Sequence, residues 1–211
     1  VIATVISGLE AAVSGFELRD VLGYLRAPLS PLDVDTCDQV ENYAITWALR
    51  GKAWTENWTG HPDGLGGVWD EDSQTRLAAL NAARAQTIDP LIRLRNRFRE
   101  AVSLKQQVLG LYEFLKEIRL AERLTDLARE LEAEGEPRQA QILNQLWEIL
   151  ISALEQMYAV LGDTAWETEH FVRLLRLLLS QYDVGTIPPV LDAVQMGPVD
   201  AMRCNRQKHL I

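Results

Sequence analysis

At 211 residues and 47% hydrophobic content, the chain can bury a substantial core, which excludes an intrinsically disordered segment. Its apolar runs are all interrupted by charges well short of the ~20 residues that span a bilayer, so no membrane helix is expected and the composition reads as soluble. A formal net charge of −9 has the wrong sign for a domain devoted to holding phosphates, so any nucleic-acid contact must be local.

Apolar residues recur at helical spacing from Ile2 to Val13; Ser14-Gly15 breaks the pattern, and Glu17 to Arg26 resumes it until Pro28. Ser30-Pro31 reads as an N-cap with proline at the first helical position, opening a helix expected to reach Arg50 and stop at Gly51. The stretch 51–72 is irregular and rich in glycine, yet holds Trp54, Trp58 and Trp69, which points to an ordered loop or lid. Acids and Ser73 then open a long helical pattern through Leu80, Leu91 and Phe98, with Pro90 as a site for a kink.

Ser103 caps a helix expected over Leu104–Ile118, and Leu120 to Glu134 reads as an acidic amphipathic helix ended by Gly135. Pro137 starts another, reaching Met157 and stopping at Gly162-Asp163. Trp166 to Tyr182 forms the last helix, whose leucines make it apolar on most sides and therefore expected to be buried. Beyond it, Gly185 to Pro189 is extended and Val190 to Met196 reads as a short strand, the edge of an α/β domain. A helical pattern that begins at Val1 without a start methionine, together with the strand-like end at Lys208 to Ile211, leads us to expect a chain cut from something longer. The domain reading is therefore 1–182 helical and 183–211 a partial return into a second domain.

No complete catalytic or metal site emerges. Cys37 and Cys204 lack partners at ligand spacing and read as reduced thiols of a cytoplasmic protein, with Cys37 an ordinary helix residue. Gly64-Leu65-Gly66-Gly67 lacks the Gly-Lys-Ser/Thr of a phosphate loop. Glu167 and His170 stand three apart as in di-iron bundles but have no second copy, so a surface histidine is the simpler account. Glu130, Glu132, Glu134 and Glu136 read as a solvated face.

Arg93, Arg95, Arg97 and Arg99 form a cationic stretch whose two-residue spacing spreads them around a helix, leaving DNA-backbone contact and ordinary ion pairing both open. The three tryptophans of the loop are open to base stacking or to pinning the loop onto its own core.

Two stretches carry a family resemblance. The first is Pro28-Leu29-Ser30-Pro31-Leu32-Asp33-Val34-Asp35 with Val40-Glu41-Asn42-Tyr43-Ala44 and Leu49-Arg50-Gly51-Lys52-Ala53-Trp54; the second is Val184 to Val194, including Gly185-Thr186-Ile187-Pro188-Pro189. In this order they resemble AddB, the helicase-like subunit of the bacterial AddAB helicase–nuclease that resects broken DNA ends. Leu111 to Leu115 and Gln145-Leu146-Trp147 are similar as well. Ala48 and Ala193 stand where the family commonly has glycine and glutamine.

The resemblance implies a mainly α fold: an irregular helical accessory domain inserted in a superfamily 1 helicase architecture, whose tail re-enters an incomplete α/β RecA-like domain. It implies a non-catalytic internal domain acting in double-strand-break end processing and recombinational repair. ATP, Mg and an iron–sulfur cluster would belong to the parent outside this chain, with no cofactor inside it. The implied partners are an AddA-like helicase–nuclease subunit and double-stranded DNA ends. Arg50, Lys52, Trp54, Arg93, Arg95, Arg97 and Arg99 are then candidates for DNA or partner contact, with Arg203 and Arg206 beside a complete RecA-like part. The alternative is a stand-alone helical interaction module whose helix 166–182 docks a protein partner.

Overall fold

A computed structural model describes residues 1–160 and 166–181. Among them the chain is all helical: α1 (Ile2–Val13), α2 (Leu18–Leu25), α3 (Val34–Thr46), a 3-10 turn (Gly51–Trp54), α4 (Glu71–Glu100), α5 (Leu104–Glu117), α6 (Leu120–Ala133), α7 (Pro137–Val160) and α8 (Thr168–Ser180). The expected strand and extended tail over 183–211, with Arg203, Arg206 and Cys204, lie outside the described residues.

One hydrophobic core joins these helices. The α1 helix buries Val5, Leu9 and Ala12 against α2, α4 and α8, while α4 packs Leu91, Leu94 and Phe98 onto α5 and α1. The α6–α7 hairpin leans on α5 and α8. The entry to α8 is fixed by a reciprocal amide pair: the Gln107 side chain donates to the Trp166 carbonyl at 2.5 Å and accepts from the Trp166 N–H at 3.1 Å. Gln107 is itself buried, so both of its amide groups need such partners.

The helix starts follow from their caps. Ser103 accepts from the Gln106 N–H at α5, and at α4 Asp70 and Ser73 form a reciprocal capping box. The irregular loop consequently ends at Asp70, with a 3-10 turn at its beginning. The α4 helix runs through Pro90 as one element, and Pro90 is buried in it. At the end of α6, Gly135 takes φ 85° and the Glu136 N–H reaches back to the Leu131 carbonyl at 2.8 Å. That is the left-handed stop expected of a glycine there.

Two expectations change. The third helix does not span Ser30 to Arg50: its N-cap is Asp33, whose carboxylate accepts from the Thr36 N–H, and it ends at Thr46. Ser30 and Pro31 instead belong to a turn before it, where Ser30 Oγ accepts from the Leu32 N–H. The stop is made by Ala48 at φ 47°, with its N–H donating to the Ile45 carbonyl and the Leu49 N–H donating to the Ala44 carbonyl. This is the same closure as at Gly135, built here on alanine.

The second correction concerns α8, which is amphipathic rather than apolar all round. Phe171, Val172, Leu175 and Leu179 are buried, Leu177 is 58% exposed, and Arg173 and Arg176 face solvent. The leucine-rich string concealed a single buried stripe.

Candidate nucleic-acid interface

The loop after α3 is held from inside by its aromatic residues. Trp54 is 0% exposed, and Trp58 packs edge-on against it and stacks on Tyr43 at 4.7 Å between centroids. The Trp58 backbone is fixed by Asn81 of α4, which donates to the Trp58 carbonyl and accepts from its N–H, while the Trp58 indole donates to the Ala53 carbonyl. Buried Arg84, also on α4, donates to the Trp54 carbonyl and to Asn57. Trp54 therefore presents no ring face to solvent; enclosure by its own loop is the arrangement found.

The outer half of the loop is a second unit. His61 is buried, accepts from the Asp63 N–H through Nδ1, hydrogen-bonds the Val68 carbonyl through Nε2 and lies edge-on to Trp69. Arg76 clamps Asp63 with two bonds of 2.8 and 2.7 Å, and these bonds hold the Asp63 carboxyl below the usual range. Leu65 and Val68 are 93% and 83% exposed, and Trp69 is half exposed, so this end of the loop offers an apolar surface. Gly64 rests against Thr46, next to exposed Ile45, which extends that surface onto α3.

The arginines of α4 separate into two sets. Arg93 and Arg97, one turn apart, both reach Glu117 of α5, at 2.8 and 2.5 Å. Burial pushes the Glu117 carboxyl up, but the hydrogen bonds from Arg97 and Arg93 outweigh it and leave its pKa lowered. Glu117→Gln should cost about 1–2 kcal/mol in chemical denaturation, between the exposed and buried limits for charge-assisted bonds. Because folding depresses this pKa, the contribution is full above the unfolded carboxyl's ~4.3 and disappears as pH falls through the lower folded value. The gap between wild type and Glu117→Gln should accordingly close on acidification.

Arg95 and Arg99 point elsewhere. The Arg95 guanidinium lies over the Phe16 ring at 5.4 Å, and Arg99 is exposed. Phe16 in turn accepts the Gly51 N–H on its carbonyl at 3.1 Å, which brings the neighbouring Arg50 and Lys52 to the side of the molecule that carries Arg95. Lys52 is paired with Glu56 at 2.8 Å, and Arg50 is exposed. Of the candidate cations, then, Arg93, Arg97 and Lys52 have carboxylate partners, whereas Arg50, Arg95 and Arg99 have none among the described residues.

The structure adds cations that spacing along α4 could not reveal. Arg173 and Arg176 of α8 and Arg19 of α2 border a depression adjoining the one lined by Arg95 and Arg99, the two sharing Val13 and Glu169. The signal available in the sequence was the three-residue step from Arg173 to Arg176, which puts both on the face opposite the buried stripe. His170 is exposed, with Glu167 3.8 Å away, and among the described residues no group of three or more potential ligands gathers. Cys37 is buried in α3 and donates to the Leu25 carbonyl.

No family model matches the chain. It is homologous to proteins named as the B subunit of an ATP-dependent helicase/deoxyribonuclease: 28% identical over 205 residues to that of Clostridium botulinum strain Hall, covering 96% of this chain. The protein of the same name from Caldanaerobacter subterraneus subsp. tengcongensis is 29% identical over 214 residues and that of Clostridioides difficile 27% over 212, each covering the whole chain. In all three cases the match occupies 18% of the relative, so the chain spans less than a fifth of the proteins it matches.

Proposed function

We propose that this chain is an internal, non-catalytic helical domain of an AddB-like helicase/deoxyribonuclease protein, contributing to the handling of broken DNA ends during recombinational repair and to assembly with an AddA-like partner. The observation that carries the reading is the end-to-end collinearity with relatives that all bear one name, across a chain whose described part packs around one core. Within the parent, this segment would be the superfamily 1 accessory insertion, leading into a RecA-like domain at 183–211. ATP, Mg and the iron–sulfur cluster would be held elsewhere in the parent.

The division of labour on the surface supports both halves of the proposal. Carboxylates with depressed pKa values are engaged as helix caps or arginine partners: Asp33 and Asp70 at caps, Asp63 and Glu117 in ion pairs. They are used in the way structural acids are used, not as a tuned acid–base pair. The exposed arginines suit a phosphate backbone, and exposed Leu65, Val68 and Trp69 suit a protein partner.

The test is a titration of a fluorescently labelled forked DNA end with the 211-residue chain at ~50 and ~200 mM salt. We expect binding at the lower salt that weakens by about tenfold or more at the higher, in the direction that counterion release demands. Absence of binding at ~50 mM would remove DNA contact from the proposal and leave the domain as a scaffold and an assembly interface.

A further inference from the structure

The cleft between α1, α4 and α8 has the chemistry of a backbone-binding groove. It consists of two adjoining depressions that share Val13 and Glu169. The first, about 240 Å³, has an apolar floor from Leu9, Leu94 and Phe98 and a rim carrying Arg95 and Arg99. The second, about 460 Å³, is bordered by Arg173 and Arg176 of α8 and by Arg19 of α2.

Pairing removes part of this charge and leaves the rest. Glu10 takes Arg176 and Asp20 takes Arg19. Arg95 is held by the Phe16 ring face, which positions the guanidinium without neutralising it. Arg99 and Arg173 are exposed and have no carboxylate partner among the described residues. Three uncompensated cations therefore face one carboxylate, Glu169, in a chain whose overall charge is −9. Such a local reversal of sign is what a polyanion would find.

The occupant is set by what the groove has and what it lacks. Arg95 and Arg99 are four residues apart on α4, one turn and about 6 Å of rise, comparable with the step between phosphates along a strand. Phe98 and Phe171 lie below the surface and have no free ring face, so there is no platform on which a base could stack. We propose that this groove holds the phosphodiester backbone of a DNA strand through Arg95, Arg99 and Arg173, without reading its sequence. The inference rests on the DNA-end reading above and names the surface that performs it.

The experiment compares the 211-residue chain with two double variants of equal charge change: Arg99→Gln/Arg173→Gln in the groove, and Arg129→Gln/Arg138→Gln, whose side chains are exposed on the α6–α7 hairpin and line neither depression. Affinity for the labelled fork is measured over a salt series, and thermal melts check that each variant folds. The groove pair should lose at least tenfold affinity at ~50 mM salt and flatten the log–log salt slope by about 2, close to 0.9 for each phosphate no longer neutralised. The hairpin pair should do neither, and Arg99→Lys/Arg173→Lys should restore the slope, because a phosphate accepts either cation. Equal losses from both Gln pairs, or a wild-type slope in the groove pair, would overturn the groove while leaving the DNA-end reading intact. A wild-type chain that does not bind the fork at all would overturn both.

Discussion

Trp54→Ala should destabilise the domain by about 3–5 kcal/mol, the range for removing a large aromatic side chain from a core. The indole is fully enclosed between Trp58 and the Arg84-braced backbone of its own loop, so truncation leaves a cavity that fixed neighbours cannot close. Its Nε1–H is buried without a hydrogen-bond partner, so the residue stays for its volume and not for a polar bond. Chemical denaturation gives the number. Trp69→Ala, at a half-exposed position, should change stability by less than about 1 kcal/mol. Wild-type stability for Trp54→Ala would refute the anchoring account and return the residue to the candidates for ligand contact.

Gly67→Ala should cost about 1–3 kcal/mol or more, for a reason of the opposite kind. A Cβ at this position would lie 2.0 Å from His61 Nδ1, and the imidazole has nowhere to retreat. It accepts from the Asp63 N–H, bonds the Val68 carbonyl and packs on Trp69. A flexible side chain would absorb the collision; a buried ring bonded at both nitrogens does not. The expected signature is a fall in melting temperature together with loss of the Trp69 environment, read by tryptophan fluorescence. Gly66→Ala is the matched comparison, since no neighbour lies within 4 Å of its Cβ and its penalty comes only from φ 112°. If Gly67→Ala melted like wild type, the loop would be adaptable there and His61 would not be its keystone.

How much of this could be read from the sequence depends on the range of the interaction concerned. The bounds of α1, the Ser103 cap and the glycine stop after α6 are set by residues within a turn of the feature, and all three stand as read. The end of α3 is equally local but was hidden, because an alanine occupies the left-handed position and alanine ordinarily signals continuation. On α8, a string of leucines outweighed the arginines at 173 and 176 until the packing against α1 chose one face. The candidate interface was the least legible part. Arg93 and Arg97 share Glu117, twenty or more positions along the chain, and no spacing within α4 distinguishes them from Arg95 and Arg99. Arg95 and Arg173 come to adjoining depressions only because α1 packs against both α4 and α8.

The thirty residues of α4 also act as a ruler. Arg76, which clamps the apolar end of the loop, and Arg99, on the rim of the groove, are separated by about 35 Å of helix axis at 1.5 Å per residue. A protein partner seated on the apolar end of the loop and a strand held in the groove would therefore sit about 35 Å apart along one helix, so that occupying either leaves the other free.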